Sequence, residues 1–495
     1  RLENWQERDE VPYRVVYTLD GQQHTSGGVI RPDPVEQREI SVAGFTGNKD
    51  YGFPNREIVC KVRKLDPDVL FFSGDQIYED VAGYGCVRTR TTLERATLDY
   101  LRKYYLLGWA FGGLLADRPS VIIPDDHDVF QGNLWGHGGR PLPKGKGFAY
   151  GGYLMPPEWV NMIERTQTAH LPDPYDPTPI KQNIGVYYTD MLYGGVSFAV
   201  IEDRKFKWGS ASEAAQENPD EAHLLGQRQL DFLSDWTADW RGAQMKAVLS
   251  QTVFAQCHTH AARQDNVVKH SSDSNGWPPV ARDEALRRIR KGFAFMMAGD
   301  NHLPTVVHHG IEDWEEAGIS FTVPSIAAGF PRAWWPADAG LKRRQGAPSY
   351  FPDLVSREDA PRYLGRHISG WDHPVTMLAV ANPRVFGGRR PGDMKLLDDK
   401  SSGFGLVKFD KKRREITVEC WSVLGDLSEP EEGQFDDWPV TFSQMACYGR
   451  RAKAWLPTIR VSGMEDPVVQ VIDEKDDSVV YTLRIDGTSF DPKVF

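Results

Sequence analysis

Five short apolar segments of this chain each lead to a side chain that can bind a metal ion or an anion. The clearest segment covers residues 68–72 and is followed by Ser73, Gly74 and Asp75. The side chains that follow the five segments are Asp75, Asp126, Arg204, His258 and Asp300. In α/β sheets, ligands bind beyond the carboxyl ends of the strands. The pattern therefore predicts an α/β domain with one site at one edge of its sheet.

The spacing of apolar residues between these segments predicts further helices and strands. Helices are predicted over residues 56–65, 92–116, 157–167, 223–240 and 281–291. In the second helix the apolar positions are Leu98, Leu101, Tyr104, Tyr105 and Trp109. A strand is expected over residues 185–189, and antiparallel strands over 319–327, 376–381, 405–409 and 415–423.

The length of 495 residues exceeds that of one ordinary domain. We predict an N-terminal β element over residues 1–38, a main domain over 39–425 and a β-rich C-terminal extension over 426–495. Insertions are expected near residues 131–183 and 328–372. The first is rich in Gly, Pro and aromatic residues and is too long for a plain connection. Both are expected to control substrate access.

Charge and cysteine content argue against several classes of protein. The 58 basic and 69 acidic residues give a formal net charge of 58 − 69 = −11, which disfavours broad binding to nucleic acids or anionic membranes. No apolar run is long enough to span a bilayer. The cysteines are scattered without a CxxC pair, so neither a zinc knuckle nor a dense disulfide framework is indicated. They are Cys60, Cys86, Cys257, Cys420 and Cys447. The chain begins with Arg1, which is compatible with removal of a leader.

The acidic residues and one tyrosine have the chemistry of a two-metal hydrolase. Asp75 suits a carboxylate that bridges two ions, and Tyr78 offers a hard phenolate oxygen for an oxidised ion such as ferric iron. Asp126 and Asp300 add oxygen ligands that suit calcium, magnesium, manganese or iron. His302 follows Asp300 by two residues and is expected to face the other metal.

Three residues near these ligands have roles that the sequence leaves open. His127 follows a ligand carboxylate and is expected to act on the leaving oxygen as an acid or as an electrostatic stabiliser. Asp128 either orients His127 or caps a helix. Arg204 either holds phosphate or pairs with Glu202 or Asp203.

Histidines outside these segments carry a weaker signal. His258 and His260 form a His-x-His pair, but in a loop such a pair is more often not a metal site. We interpret His137 and the pair His308 and His309 as loop or pocket-rim residues.

Three ordered blocks of sequence together resemble the motifs of PhoD-like alkaline phosphatases. That family is one of the calcineurin-like metallophosphoesterases and is related to purple acid phosphatases. The blocks are Gly74-Asp75-Gln76-Ile77-Tyr78, Asp125-Asp126-His127-Asp128 and Gly299-Asp300-Asn301-His302. The resemblance implies a four-layer β-sandwich flanked by helices, with small β elements at both termini. It also implies hydrolysis of phosphomonoesters or phosphodiesters.

The same resemblance implies a site with Fe³⁺ and Ca²⁺. It further implies export by the twin-arginine route to the periplasm or the extracellular space. The implied metal ligands are Asp75 as the bridge, Tyr78 and His302 on one ion, and Asp126 and Asp300 on the other. The implied catalytic residues are His127, Asp75 and Arg204, and the implied phosphate contacts are Asn48, Arg204 and His127.

One position departs from the family pattern. Thr46 stands where the family usually has a cysteine ligand, and a threonine hydroxyl is a far weaker ligand than a thiolate. Mn²⁺, Mg²⁺ or Zn²⁺ therefore stay compatible with the sequence, and His258 is placed to compensate. The family's Asp-Asp-His-Glu block ends here in Asp128.

Three functions fit these observations. The leading hypothesis is a secreted, metal-dependent phosphoesterase, whose partner is a phosphate ester rather than a stably bound nucleic acid. The second keeps the fold and the metals but acts on a phosphodiester polymer or a phospholipid headgroup. The third is a degenerate binding protein without catalysis, against which the retained ligand residues argue.

Overall fold

The computed structural model describes residues 7–80, 92–327, 329–344 and 361–495. Cys86 and much of the second predicted insertion lie outside the described residues. The α-helices in these ranges are α1 (Arg56–Leu65), α2 (Leu93–Leu115), α3 (Pro157–Thr168), α4 (Glu213–Glu217), α5 (Gly226–Ala238), α6 (Pro279–Ile289), α7 (Met394–Asp399) and α8 (Pro430–Gly433).

The strands of the same ranges are, in chain order, β1 (Val11–Leu19), β2 (Gln22–Ile30), β3 (Glu39–Phe45), β4 (Val69–Phe72), β5 (Ser120–Ile122), β6 (Thr189–Tyr193), β7 (Val196–Val200), β8 (Met245–Thr252), β9 (His260–Ala261), β10 (Phe295–Gly299), β11 (Thr305–His309), β12 (Ile319–Thr322), β13 (Arg332–Ala333), β14 (Arg343–Arg344), β15 (Gly365–Ile368), β16 (Pro374–Val380), β17 (Gly403–Asp410), β18 (Glu415–Ser422), β19 (Val440–Ser443), β20 (Ala454–Trp455), β21 (Ile459–Arg460), β22 (Val468–Asp473), β23 (Ser478–Arg484), β24 (Ser489–Phe490) and β25 (Lys493–Val494).

Two large sheets form the centre of the described structure. One has six strands in the order β19-β18-β17-β3-β4-β5, and the other has nine in the order β14-β15-β16-β11-β12-β10-β8-β7-β6. In the first sheet β3, β4 and β5 run parallel. In the second, β7, β8, β10 and β12 run parallel. Each sheet therefore delivers several carboxyl ends to one edge.

The two sheets pack face to face, and helices cover their outer faces. Val42, Phe71 and Val407 of the six-stranded sheet share one core cluster with Phe198 and Leu249 of the nine-stranded sheet. Helices α1, α2 and α7 pack on the outside of the first sheet. Helices α5 and α6 pack on the outside of the second. The layers are helix, sheet, sheet and helix, which confirms the predicted α/β four-layer fold.

The prediction of a single sheet edge for the site is wrong. Strands β4 and β5 lead to Asp75 and Asp126 and belong to the six-stranded sheet. Strands β7, β8 and β10 lead to Arg204, His258 and Asp300 and belong to the nine-stranded sheet. Strand alternation along a sequence does not reveal which sheet each strand joins, because that depends on pairing between distant segments.

Helix α2 forms where it is predicted, but its apolar positions are largely on the outside. Leu98 is 68% exposed and Trp109 is 66% exposed, and Leu101 and Tyr105 are also exposed. The inner face carries the buried ion pair of Asp99 and Lys103, 2.9 Å apart. Apolar spacing therefore identified the helix but not its buried face.

Two predicted strands have different bounds or partners. The strand predicted over residues 185–189 starts at Thr189 instead, because the backbone N–H groups of Tyr187 and Tyr188 donate to the Glu202 carboxylate and not to a neighbouring strand. Strand β12 ends at Thr322 and pairs antiparallel with β11 but parallel with β10.

Small β elements lie at both ends of the chain, as expected. Strands β1 and β2 form a hairpin, and β20–β25 form three two-stranded ribbons. Cys60, Cys257, Cys420 and Cys447 are free thiols. Across the described ranges, no helix combines the length and apolar character needed to cross a membrane.

The contact between the two sheets can be tested at Phe409 of β17. Its ring centroid lies 6.1 Å from those of Phe198 and Phe295, both in the facing sheet. The cavity left by Phe409→Ala should lower the free energy of unfolding by about 3–5 kcal/mol, measured as a lower urea midpoint by circular dichroism. The surface control Leu424→Ala should change it by less than about 0.5 kcal/mol. Equal losses in both variants would contradict this packing.

Candidate metal centre

Three loops from the two sheets meet to form the candidate site. Residues 75–79 follow β4 and residues 125–128 follow β5, whereas residues 300–302 follow β10 of the other sheet. The loop after β3 joins them, since the Asp300 N–H donates to Thr46 Oγ1 over 3.1 Å. The predicted ligands Asp75, Asp126 and Asp300 are all buried here.

Two Gly-Asp turns allow this close approach. A Cβ on Gly74, whose φ is +122°, would lie 2.3 Å from the Asp125 Cβ. A Cβ on Gly299 would lie 2.0 Å from Ser73 Oγ. Asp75 and Asp300 then adopt φ values of 58° and 60°, in the left-handed region that non-glycine residues seldom occupy. Both turns therefore aim a carboxylate at the space between the sheets at a cost in backbone strain.

Asp75, Tyr78 and His302 form one group of ligand atoms. The Tyr78 hydroxyl lies 2.7 Å from Asp75 Oδ2 and 2.8 Å from His302 Nε2. His302 Nε2 lies 3.9 Å from Asp75 Oδ2. Burial, and then the charge of Asp75, raises the pKa of Tyr78 well above its usual value, so the side chain is a phenol that donates to Asp75. A cation in this position would take the place of that proton.

Two further groups of possible ligand atoms share Asp126. Ligand atoms of Asp125, Asp126 and Asp300 lie within 4.8 Å of one another, as do those of Asp75, Asp126 and His127. Within the described parts of the chain, Asp126 Oδ1 is buried without a hydrogen-bond partner. An ionised oxygen of this kind is costly unless a cation binds it. The residues present therefore fit a metal centre.

The pKa values reflect this concentration of acids. Burial raises the pKa of Asp126, and the neighbouring Asp75 and Asp125 raise it further. Burial likewise raises the pKa values of Asp125 and Asp300. Asp75 differs, because His127 and His302 outweigh its burial and hold the pKa of its carboxyl below the usual range. Bound cations would favour the ionised form of all four groups.

Arg204 pairs with acids other than the two considered from the sequence. Its Nε lies 2.7 Å from Asp125 Oδ1, its Nη1 2.9 Å from Asp273 Oδ1 and its Nη2 3.0 Å from Asp300 Oδ1. The side chain is almost completely buried. Neither Glu202 nor Asp203 forms these pairs. With all three nitrogens on carboxylates, Arg204 is not open to phosphate here and instead holds ligand residues in place.

His127 pairs with an acid that the sequence did not single out. Its Nδ1 lies 2.6 Å from Oε2 of Glu79, which is fully buried. The Asp128 carboxylate has neither predicted role. It accepts the N–H groups of Asp75 and Asp125 over 2.8 Å each and that of Gln76 over 3.0 Å.

Gln167 of α3 completes the surroundings of Asp128. Its Nε2 donates to Asp128 Oδ1 over 3.1 Å. Burial and the charge of Asp75 raise the pKa of Asp128 to about 7, although the hydrogen bonds from Asp125, Gln167 and Asp75 act in the opposite direction. One carboxylate thus joins the loops after β4 and β5 and links both to α3.

Asn48 and His258 lie beside the ligand groups. Asn48 Nδ2 donates to Gln76 O over 3.4 Å, and its side chain is half-buried. His258 Nδ1 lies 2.8 Å from Asn301 Oδ1, which also faces Arg332 Nη1 at 3.4 Å. The amide oxygen is therefore the acceptor and His258 Nδ1 the donor. Burial lowers the pKa of His258 to about 3, so its ring is neutral. A ligand role for His258 stays a prediction.

Four residues at the site escaped sequence reasoning. They are Glu79, Asp125, Asp273 and Arg332. Glu79 and Asp125 adjoin predicted ligands, so their positions gave a usable signal. Asp273 and Arg332, which form an ion pair of 2.8 Å, do not directly follow any of the five apolar segments. Asp273 and Arg332 come near the site only because loops that are distant in sequence fold together.

The link through Asp128 gives a testable prediction. Asp128→Asn replaces one acceptor oxygen by an NH₂ group facing backbone N–H donors. We expect about 10- to 100-fold weaker Mn²⁺ binding in isothermal titration, the usual effect of losing a residue that orients ligands. Asp117→Asn is the control and should bind Mn²⁺ like the wild type. Unchanged affinity in Asp128→Asn would show that the two loops keep their positions without it.

Comparisons with solved structures find proteins that are similar to this chain. A solved structure described as that of PhoD has a TM-score of 0.51 and 16% identity, and the match covers 87% of this chain and 74% of that chain. The structure of purple acid phosphatase PPD1 from yellow lupin (Lupinus luteus) seeds has a TM-score of 0.48 and 12% identity, covering 89% of this chain and 61% of that one. No curated protein matches the sequence.

The family comparison is more specific than the structural one, which at this identity shows the fold alone. The model of the PhoD-like phosphatase family matches residues 45–334. This match contains all the predicted ligand residues and covers more than half of the chain. The protein therefore belongs to the PhoD-like phosphatase family.

Proposed function

We propose that Asp75, Tyr78, Asp126, Asp300 and His302 hold two metal ions for the hydrolysis of phosphate esters. The reaction class follows from the family, whose members are metal-dependent phosphoesterases. The observation that carries the assignment is the shared Asp126, whose buried Oδ1 has no hydrogen-bond partner in the described structure. Comparing p-nitrophenyl phosphate with bis(p-nitrophenyl) phosphate as substrates tests the preference between monoesters and diesters.

The donor sets support different ions in the two halves of the site. A phenol, an imidazole and a carboxylate, from Tyr78, His302 and Asp75, suit Fe³⁺. The carboxylates of Asp126 and Asp300, with Asp125 beside them, suit a hard ion such as Ca²⁺. Bound ions supply Lewis-acid activation of water and neutralise phosphate charge. Mn²⁺, Mg²⁺ and Zn²⁺ are the alternatives.

We assign His127 as the acid that protonates the leaving oxygen. Its Nδ1–H donates to Glu79, which leaves Nε2 to carry the transferable proton. Burial disfavours the charged ring, but Asp75 and Glu79 outweigh it and raise the pKa of His127. The ring therefore stays protonated to higher pH than a free histidine. Glu79 acts as a positioning residue.

Arg332 and Lys49 support a phosphate contact better than Arg204 does. Arg332 Nη1 lies 3.9 Å from Asp300 Oδ2, and its side chain keeps 12% of its surface exposed. Lys49 Nζ lies 4.5 Å from the centroid of the Tyr78 ring. We propose that these two cations contact the bound phosphate, together with His127 and the predicted Asn48.

The metal assignment predicts the composition and activity of the purified protein. Elemental analysis without added metal should find iron and calcium, with a broad visible band from the Tyr78 phenolate. Asp126→Asn should lose metal and at least about 100-fold of kcat on p-nitrophenyl phosphate, because metal and charge stabilisation supply several kcal/mol. Asp117→Asn should keep both metal and kcat. Full metal content and turnover in a folded Asp126→Asn would refute the site.

The role of Glu79 predicts a dependence on the leaving group. Glu79→Gln removes a cause of the raised His127 pKa, so the alkaline limb of the kcat profile should move to lower pH. Phenyl phosphate needs protonation of its leaving oxygen more than p-nitrophenyl phosphate does. Its kcat should therefore fall by about 10- to 100-fold, part of what a general acid contributes, whereas that of p-nitrophenyl phosphate should fall less.

The exposed variant Glu94→Gln is the control for this measurement. It should leave both kcat values and the pH profile unchanged. An equal loss on both substrates in Glu79→Gln, without a pH shift, would mean that Glu79 only supports the fold.

A further inference from the structure

Helix α2 presents an apolar stripe to solvent. Leu98, Leu101, Tyr105 and Trp109 follow one another at spacings of three or four residues, so they share one side of the helix. All four are exposed, and Tyr105 and Trp109 contact each other with ring centroids 5.8 Å apart. A soluble helix normally places such a stripe against the core.

The N-terminal hairpin extends this stripe. By the same spacing, the stripe continues to Ala116, whose carbonyl accepts the Tyr13 hydroxyl over 3.2 Å and the Val29 N–H over 3.1 Å. Alternation along β1 places Val15, Tyr17 and Leu19 on the same face as Tyr13. All of these side chains are exposed. Helix and hairpin therefore meet at Ala116, and we call their exposed apolar side chains together the α2–hairpin surface.

The hairpin has little support of its own. Strands β1 and β2 pair with each other, and neither joins a further strand of the described structure. An isolated two-stranded hairpin is at best marginally stable in water. Its nine-residue strands and unpaired edges call for a covering surface.

We propose that the α2–hairpin surface is the interface of a symmetric dimer of this chain. The hairpin of each copy covers the α2 stripe of the other. Each copy therefore supplies both its apolar hairpin face and its apolar helix stripe to the interface. A two-fold dimer requires such self-complementarity, with the same patch used on both subunits.

The aromatic side chains of the surface supply part of the area that a dimer interface needs, and its charges are compatible with a protein partner. An aromatic side chain buries about 150–250 Å² when fully covered. Tyr17, Tyr105 and Trp109, each roughly half to two-thirds exposed, would thus contribute about 300 Å² of the roughly 800 Å² that each partner buries in a stable interface. Exposed residues of both signs, such as Glu94 and Arg95, flank the stripe. Mixed signs and a net charge of −11 favour a protein partner over an anionic lipid surface.

Sedimentation velocity of the full chain at low and high micromolar concentration tests the proposal. The wild type should sediment as a dimer, whereas Trp109→Glu and Tyr17→Glu should each sediment as monomers with at least a tenfold higher dissociation constant. Trp455→Glu is the matched control, because Trp455 is 61% exposed but lies in the C-terminal extension. That variant should remain dimeric. Circular dichroism and turnover of p-nitrophenyl phosphate should be unchanged in all three variants.

Cross-linking tests the reciprocal geometry separately. In a Cys60→Ser background, an equimolar mixture of Tyr17→Cys chains and Trp109→Cys chains should form a disulfide-linked pair under mild oxidation. Neither variant alone should do so to the same extent. A dimer that lacks this cross-link, or that survives Trp109→Glu, would place the interface elsewhere.

The remaining outcomes also overturn the proposal. A monomer at every concentration would refute the dimer. A monomer that co-sediments with phosphatidylglycerol vesicles, and loses this binding in Trp109→Glu, would assign the surface to lipid. Because none of these variants touches the metal ligands, a failed dimer would leave the phosphoesterase assignment standing.

Discussion

The carboxylate of Asp128 holds the candidate site together. Its two oxygens accept backbone N–H groups from the loops after β4 and β5 and a side-chain N–H from α3. Those two loops carry Asp75, Tyr78 and Asp126. Without a shared acceptor, three buried N–H groups would be left unsatisfied, which costs about 1–3 kcal/mol each. The positions of the predicted ligands on this side of the site therefore depend on one buried carboxyl group that is not itself a predicted ligand.

The balance between buried carboxylates and guanidinium groups explains the rest of the arrangement of the site. Four aspartates lie close together in the interior. Arg204 pairs with Asp125 and Asp300, and Arg332 lies 3.9 Å from Asp300. These two guanidinium groups, which also pair with Asp273, leave an excess of negative charge, which burial makes expensive unless protons or cations compensate. The strained turns at Asp75 and Asp300 hold the carboxylates together despite their repulsion. Such a site is organised for cations before they bind, and this suits catalysis by metals on a charged substrate.

The sequence predicted which candidate ligand residues meet at the site better than it predicted their surroundings. Asp75, Asp126 and Asp300 follow apolar strands, so local patterning places each at a carboxyl end, and the three motif blocks add Tyr78 and His302. The partners of Arg204 could not be predicted, because the loop with Asp273 reaches the site only in the folded chain. Pairing of β12 with β10 and the division between two sheets depend on long-range contacts in the same way. Helix α2 was predicted correctly, but most of the apolar positions that indicated it are exposed.

Polar contacts on the inner face of α2 accompany the exposure of these apolar positions. Helix α2 passes beside the loop after β4, and Lys103 donates to the Glu79 carbonyl over 2.8 Å from its inner face. Glu79 in turn holds His127. Polar side chains that contact the site thus lie on the inner face of α2, where apolar side chains normally pack against the core. Several apolar side chains of the helix are exposed to solvent instead. The same helix therefore contacts the residue that positions His127, our proposed general acid, and also carries the exposed apolar stripe.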